Sequence, residues 1–259
     1  MQTLRKLLSQ CSSDELRGLA KILEAPDSNI KTLVDVLLQD SQHLITYIMG
    51  NEPSYRDVVR LVADKLKITY PKYLSARDIE ILIAKKVLET VWEKMTPEQR
   101  QEMEQELRKV AQQFDKGGEL LLSGSMFSAL TAAQLSGFGI YLLASTSLGA
   151  ITTALGIALP FVVYTTMSST IAIIIGPVGW IGMGLLTLWH LTGPNHKHLL
   201  SAVLYICMLR TKYSPSEDDI NLPHSDERKE PTENSFCPEC RLPFKTPELV
   251  QEHRKRWEH

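Results

Sequence analysis

The chain lacks charged residues over one long stretch. No Asp, Glu, Lys or Arg occurs between Glu119 and Lys197, although these residue types make up 22% of the 259 positions. Twelve of the fourteen glycines lie between Gly117 and Gly193. Helices that pack closely inside a bilayer are apolar and rich in small residues in the same way. The missing charge therefore favours helices that lie away from water.

Motifs of common enzyme classes and of secretion are also missing. The sequence contains no nucleophile elbow, phosphate-binding loop, HExxH motif or paired-carboxylate constellation, so we expect a protein without enzymatic activity. Its N-terminal segment has no apolar run of signal-peptide length, which favours a cytoplasmic location. A formal net charge of −2 gives no global basic field that would attract nucleic acid.

Two apolar runs within the charge-free stretch predict a helical hairpin. Residues 138–163 and 171–191 each exceed the roughly 20 residues that cross a hydrocarbon core of about 30 Å. Residues 164–170 would form the turn between them. The hairpin is therefore long enough for two membrane crossings.

Two interpretations of the hairpin stay open. In the first, residues 120–195 insert into a membrane and contact lipid, with the capacity to form a pore when triggered. Lys and Arg flank the stretch on both sides, so both termini would be cytosolic in a cytoplasmic or inner-membrane-associated protein. In the alternative, the hairpin is permanently buried in a soluble helical adaptor or scaffold, because apolar runs cannot be assigned by length alone.

Amphipathic helices are predicted before the charge-free stretch. Ser12 and Glu15 have the spacing of a capping box, which marks a helix start. Residues 30–38 and 55–66 follow helical spacing, and Pro71 is expected to close the second of these helices. Five apolar side chains of that helix are expected to be buried: Val58, Val59, Leu61, Val62 and Leu66.

The predicted fold is all-α, a helical bundle around the apolar, glycine-rich hairpin with a small ββα zinc finger. Residues 1–118 form the amphipathic helical domain, and residues 119–213 form the hairpin with one following helix. Residues 214–235 contain seven acidic residues, two basic residues and three prolines, which predicts a flexible linker. Residues 236–259 form the finger.

Four residues near the C-terminus have the spacing of a Cys₂His₂ zinc site. Cys237 and Cys240 are followed after twelve residues by His253 and after five more by His259. Two thiolates and two imidazoles can coordinate Zn²⁺ tetrahedrally, and a domain of this size needs the metal to fold. A single finger contacts only about three base pairs, so a protein partner is favoured, nucleic acid is an unlikely ligand, and purely structural zinc is the alternative. Self-association of the chain stays open.

Four stretches of the chain resemble the YaaW family of bacterial proteins. They are residues 11–23, 87–103, 176–180 and 201–210. The resemblance spans roughly residues 9–212, so the predicted finger lies outside it. Because the family has no established activity, the resemblance implies no reaction.

Overall fold

A computed structural model describes residues 2–49, 54–112, 124–132, 135, 137–154, 157, 159 and 197–213. This part of the chain is mostly helical and contains no strand, which confirms the all-α prediction for it. Residues 160–196 and 214–259 lie outside the described residues. They include the turn and second run of the predicted hairpin, the predicted linker and the predicted zinc finger.

Helices account for most of the described residues. The helices are α1 Gln2–Leu8, α2 Ser13–Leu23, α3 Ile30–Met49, α4 Tyr55–Lys65, α5 Ala76–Lys94, α6 Pro97–Gln112, α7 Met126–Thr131, α8 Gly137–Ala154 and α9 Lys197–Tyr213.

Capping boxes begin several of the helices, including α2 and α5. At α2, the Ser12 hydroxyl accepts a hydrogen bond from the Glu15 N–H, and the Glu15 carboxylate accepts one from the Ser12 N–H. Ser75 and Asp78 make the same reciprocal pair of bonds at α5. Each box satisfies backbone donors that have no partner within the helix. The predicted start of α2 is confirmed.

Helix α8 lies in the core of the bundle. Every residue from 138 to 152 is buried, and the helix contacts α5 and α9, which also contact each other. The surrounding helices α2, α3 and α4 each contact α9. A helix buried on all sides needs no polar face, which accounts for the lack of charge in this part of the sequence.

Three buried hydroxyl groups of α8, those of Ser145, Ser147 and Thr152, make hydrogen bonds inside the bundle. Ser147 donates to the carbonyl oxygen of Ala84 in α5 at 2.9 Å. Thr152 donates to the carbonyl oxygen of Leu148, one turn earlier in its own helix, also at 2.9 Å. These bonds offset the cost of removing hydroxyls from water, so a hydroxyl-rich helix can occupy the core.

Helix α8 is shorter than the sequence predicted. It ends at Ala154 rather than continuing to residue 163, and Ile157 and Leu159 are not helical. The Ile157 N–H donates to the carbonyl oxygen of Thr152 at 2.9 Å, which is the six-to-one bond of a Schellman ending. The prediction of one helix longer than 20 residues is therefore wrong.

Eighteen residues correspond to a helix about 27 Å long. Within the part of the chain that the structure describes, no helix combines the length and hydropathy that a membrane crossing requires.

Candidate functional site

Two basic residues near the C-terminal end of α9 bind buried carboxylates on different helices. Arg210 pairs with Glu80 of α5, and Lys212 pairs with Glu15 of α2. Two residues along a helix correspond to a rotation of about 200°, so the two side chains leave α9 on opposite sides. Ion pairs therefore join α9 to α5 on one side and to α2 on the other.

The first group, the Glu80 cluster, consists of Glu80, Arg210 and Tyr55. Arg210 donates from Nε and Nη2 to the two Glu80 carboxylate oxygens at 3.1 and 3.0 Å, and the Tyr55 hydroxyl donates to Oε1 at 2.8 Å. The Glu80 side chain has no exposed surface, and the Arg210 guanidinium lies 5.9 Å from the centre of the Tyr55 ring. Arg210 therefore balances the charge of the Glu80 carboxylate, and both carboxylate oxygens accept hydrogen bonds where water is excluded.

The charge of Glu80 changes the acidity of its neighbours. Burial alone lowers the pKa of Arg210, but the adjacent Glu80 carboxylate outweighs that effect and raises this pKa above its ordinary value. Burial, together with the Glu80 charge, also raises the pKa of Tyr55 well above its ordinary value. Arg210 therefore remains cationic and Tyr55 remains a neutral donor over the physiological range.

The second group, the Glu15 cluster, consists of Glu15, Ser12, Lys212 and Tyr213. Lys212 Nζ lies 2.6 Å from Oε1 of Glu15, while the Tyr213 hydroxyl and the Ser12 N–H donate to Oε2 at 2.6 and 2.7 Å. Burial raises the pKa of the Glu15 carboxyl, but the bonds from Lys212, Tyr213 and Ser12 outweigh burial and lower the pKa below its ordinary 4.5. The group is therefore ionised at neutral pH.

Two free cysteines lie near these clusters. Burial raises the pKa of the Cys11 thiol to about 12, and the Glu15 charge adds to the effect. Burial and the charge of Glu80 also raise the pKa of the Cys207 thiol. Both thiols stay protonated at neutral pH, and a protonated thiol is a poor nucleophile. The surroundings of the two clusters thus favour an ion-paired structural role over covalent chemistry.

Comparison with known proteins identifies the family. No family model matches the chain. A UPF0174 protein of Helicobacter pylori strain J99 is 30% identical over 180 residues, which cover 69% of this chain and 69% of that relative. The chain belongs to the UPF0174 family. UPF0174 is an uncharacterised bacterial family, so membership assigns no reaction. No solved structure matches.

In this UPF0174 protein, the predicted zinc ligands Cys237, Cys240, His253 and His259 lie outside the described residues. Within the described ranges, no group of three or more His, Cys, Asp or Glu side chains is arranged to hold a metal ion. The zinc site remains a prediction from ligand spacing, and the YaaW resemblance remains a prediction from sequence stretches.

The sequence analysis did not predict that Glu15 or Glu80 would form part of a buried ion-pair cluster. Glu15 was expected only to cap α2, and its bonds to α9 were not expected. Glu80 lies between the buried Ile79 and Ile81, and an acid at such a position on a buried helix is a signal that a basic partner is needed. Arg210, which directly follows the mostly apolar residues 199–209 of α9, is the corresponding signal from the partner side.

Proposed function

We propose that this UPF0174 protein is a non-enzymatic helical scaffold or adaptor. In this proposal the apolar helix stays buried in the bundle, and the predicted zinc finger binds a protein partner. The observation that supports a permanently buried helix is the continuous burial of residues 138–152, together with the hydrogen bond from Ser147 to Ala84.

The connections of α9 favour a buried α8 over one that inserts into a membrane. Helix α8 packs directly against α5 and α9, which the Glu80–Arg210 pair joins to each other, so its departure would expose apolar side chains of both helices to water. Membrane insertion would also require the Ser147 hydroxyl to give up its bond to another helix.

The predicted finger supplies the partner-binding part of the proposal. Zn²⁺ would be coordinated by Cys237, Cys240, His253 and His259, and the acidic composition of residues 214–235 predicts a linker between finger and bundle. One finger contacts too few base pairs for specific DNA recognition, which favours a protein partner. Free thiols at Cys11 and Cys207 suit a reducing compartment, so we infer a cytoplasmic location.

Extraction of cell membranes with alkaline carbonate tests the proposal. We expect the full chain in the supernatant, and a single size-exclusion peak after purification without detergent. A chain that stays in the carbonate-washed membranes would contradict the proposal and favour insertion. For the finger, Cys237→Ser should abolish binding of an identified partner while the circular dichroism of the helices remains that of the wild-type chain.

A further inference from the structure

The connection between α4 and α5 is fixed by two arginines of α4. Arg56 Nη2 donates to the carbonyl oxygens of Lys72 and Leu74 at 3.2 and 2.8 Å, and Arg60 Nη2 donates to that of Lys72 at 2.7 Å. The Leu74 N–H donates to the carbonyl oxygen of Pro71 at 3.1 Å, and the Leu74 side chain is buried. The backbone of the connection between α4 and α5 is therefore held by hydrogen bonds, although the connection lies on the surface.

This ordered turn presents an aromatic ring to solvent. Tyr73 is 66% exposed, and it is the one exposed large hydrophobic side chain among the residues whose burial the structure describes, which leave out 40–49, 153 and 154. Its neighbour Leu74 is buried, so the turn separates an inward side chain from an outward one. Tyr and Arg are enriched among the residues that dominate protein interfaces. A ring on an ordered turn also loses little conformational freedom on binding.

Three basic residues, Arg56, Arg60 and Lys72, meet at the turn that carries Tyr73. In the described part of the chain, no carboxylate forms an ion pair with Arg56, Arg60 or Lys72. The neighbouring acids bind elsewhere: Asp57 accepts from the Ser54 N–H at 2.9 Å, and Asp64 accepts from the Tyr70 hydroxyl at 2.9 Å. Arg56 is exposed and its guanidinium retains N–H donors beyond the one that binds the turn, whereas the Nε of the half-buried Arg60 is buried.

We propose that this basic turn surface, formed by Arg56, Arg60, Lys72 and Tyr73, binds an acidic segment of a partner protein. Carboxylates of the segment would pair with the three cations, and an apolar side chain of the segment would pack on the Tyr73 ring. This contact is separate from the predicted zinc finger and does not depend on it.

The charge and the single ring favour a protein segment over other polyanions. Single-stranded nucleic acid is bound by several aromatic side chains in a positively charged groove, whereas one ring is exposed here and the chain has a net charge of −2. Recognition of anionic lipid typically uses about four to eight clustered basic residues, and this surface has three. A short run of carboxylates next to an apolar residue matches the size of the surface.

Fluorescence anisotropy with the full chain tests this proposal. The probe is a dye-labelled peptide of alternating Asp and Glu around one central Leu, and its control replaces every acid by the corresponding amide. Lys72→Glu and Tyr73→Ser should each weaken binding of the acidic peptide at least about tenfold, a typical loss for an interface hot spot. Both side chains are exposed, so the variants should melt at the wild-type temperature.

Lys94→Glu is the matched control. It makes the same change of charge on the exposed surface at the other end of α5, about 27 Å along the helix, and should change the affinity less than about twofold. The proposal is overturned if the wild-type chain does not prefer the acidic peptide to the amide peptide, or if Lys94→Glu weakens binding as much as Lys72→Glu. Tighter binding of an oligothymidine strand or of phosphatidylserine vesicles at the same surface would also overturn it.

Discussion

Arg210 and Glu80 are 130 residues apart in the sequence and form a bidentate ion pair in which the Glu80 side chain is fully buried. On the other side of α9, Lys212 pairs with Glu15, which is 1% exposed. The two pairs attach α9 to α5 and to α2. Helix α8 packs against both α9 and α5, so it lies beside the two helices that the Glu80–Arg210 pair joins.

Removal of the Glu80 charge should destabilise the fold strongly. Glu80→Gln leaves the guanidinium of Arg210 buried without a carboxylate, and we expect the free energy of unfolding to fall by about 3–5 kcal/mol. Urea denaturation followed by circular dichroism measures the change. The double variant Glu80→Gln/Arg210→Met should lose less than the sum of the two single variants, because it removes both charges.

Glu106→Gln provides the control for that measurement. Glu106 pairs with Lys109 on α6, where the Lys109 side chain is 59% exposed and the Glu106 side chain is 18% exposed, so water reaches the pair. We expect a loss of at most about 1 kcal/mol, as for pairs that water reaches. Equal losses for Glu80→Gln and Glu106→Gln would show that the buried pair does not determine stability.

Stability should fall in acid through Glu15. Because its pKa is lowered in the folded state, the ionised carboxylate stabilises the fold at pH values above its ordinary 4.5, and this contribution is lost as the pH falls through the folded-state pKa. We expect the difference in unfolding free energy between wild type and Glu15→Gln to be constant above about pH 5 and to shrink below it. Gln keeps the capping bond to the Ser12 N–H. A difference that grows in acid would contradict this assignment.

Two buried serines of α8 provide a comparison on one helix. The Ser147 hydroxyl bonds to Ala84 of another helix, whereas the Ser145 hydroxyl bonds to Leu142 of its own helix. Ser147→Ala should cost about 1 kcal/mol, the usual net value of a hydrogen bond, and Ser145→Ala should cost less. Thermal denaturation measures both. The reverse order would mean that α8 does not lie against α5 as described.

The full chain should bind about one zinc ion, which mass spectrometry under native conditions and elemental analysis can count. Cys237→Ser or His253→Asn should abolish this binding. Removal of zinc with a chelator should leave the helical signal of the bundle, because the described helices contain no metal-binding group. Equal zinc content in wild type and Cys237→Ser would refute the ligand assignment.

The sequence predicted well where α2 begins and which side chains of α4 and its C-terminal end are buried. The Ser12–Glu15 capping box is present, and Val58, Val59, Leu61, Val62 and Leu66 are all buried as expected. Capping residues and apolar spacing act within a few residues, so they can be recognised without knowledge of the fold.

Helix ends were predicted less well. Pro71 was expected to close α4, but α4 ends at Lys65, where Lys67 has a left-handed φ of 56° and the Ile68 N–H donates to the carbonyl oxygen of Ala63. A left-handed residue that is not glycine gives no sequence signal for a helix end. Helix α3 continues to Met49 rather than ending near residue 38, because a polar turn of moderate helix propensity does not stop a helix.

The two clusters could not be predicted because their members are distant in sequence. Glu15 and Lys212 are 197 residues apart, and only the packing of α9 against α2 brings them together. Within the charge-free residues 120–196, the interpretation as exclusion of water is confirmed for residues 138–152 of α8, whereas the described residues Gly124, Ser128 and Ala132 are exposed. Length and composition could not show that, for α8, neighbouring helices exclude the water.

Hydrogen–deuterium exchange of α8 in the presence of lipid tests the central claim most directly. Amides of residues 138–152 are buried in the bundle, so we predict that they exchange slowly and at the same rate with and without anionic vesicles, at neutral and at mildly acidic pH. The claim would be contradicted if vesicles changed the amide exchange rates of α8 and of its contacts on α5 and α9 alone, and if dye leaked from the vesicles at the same time.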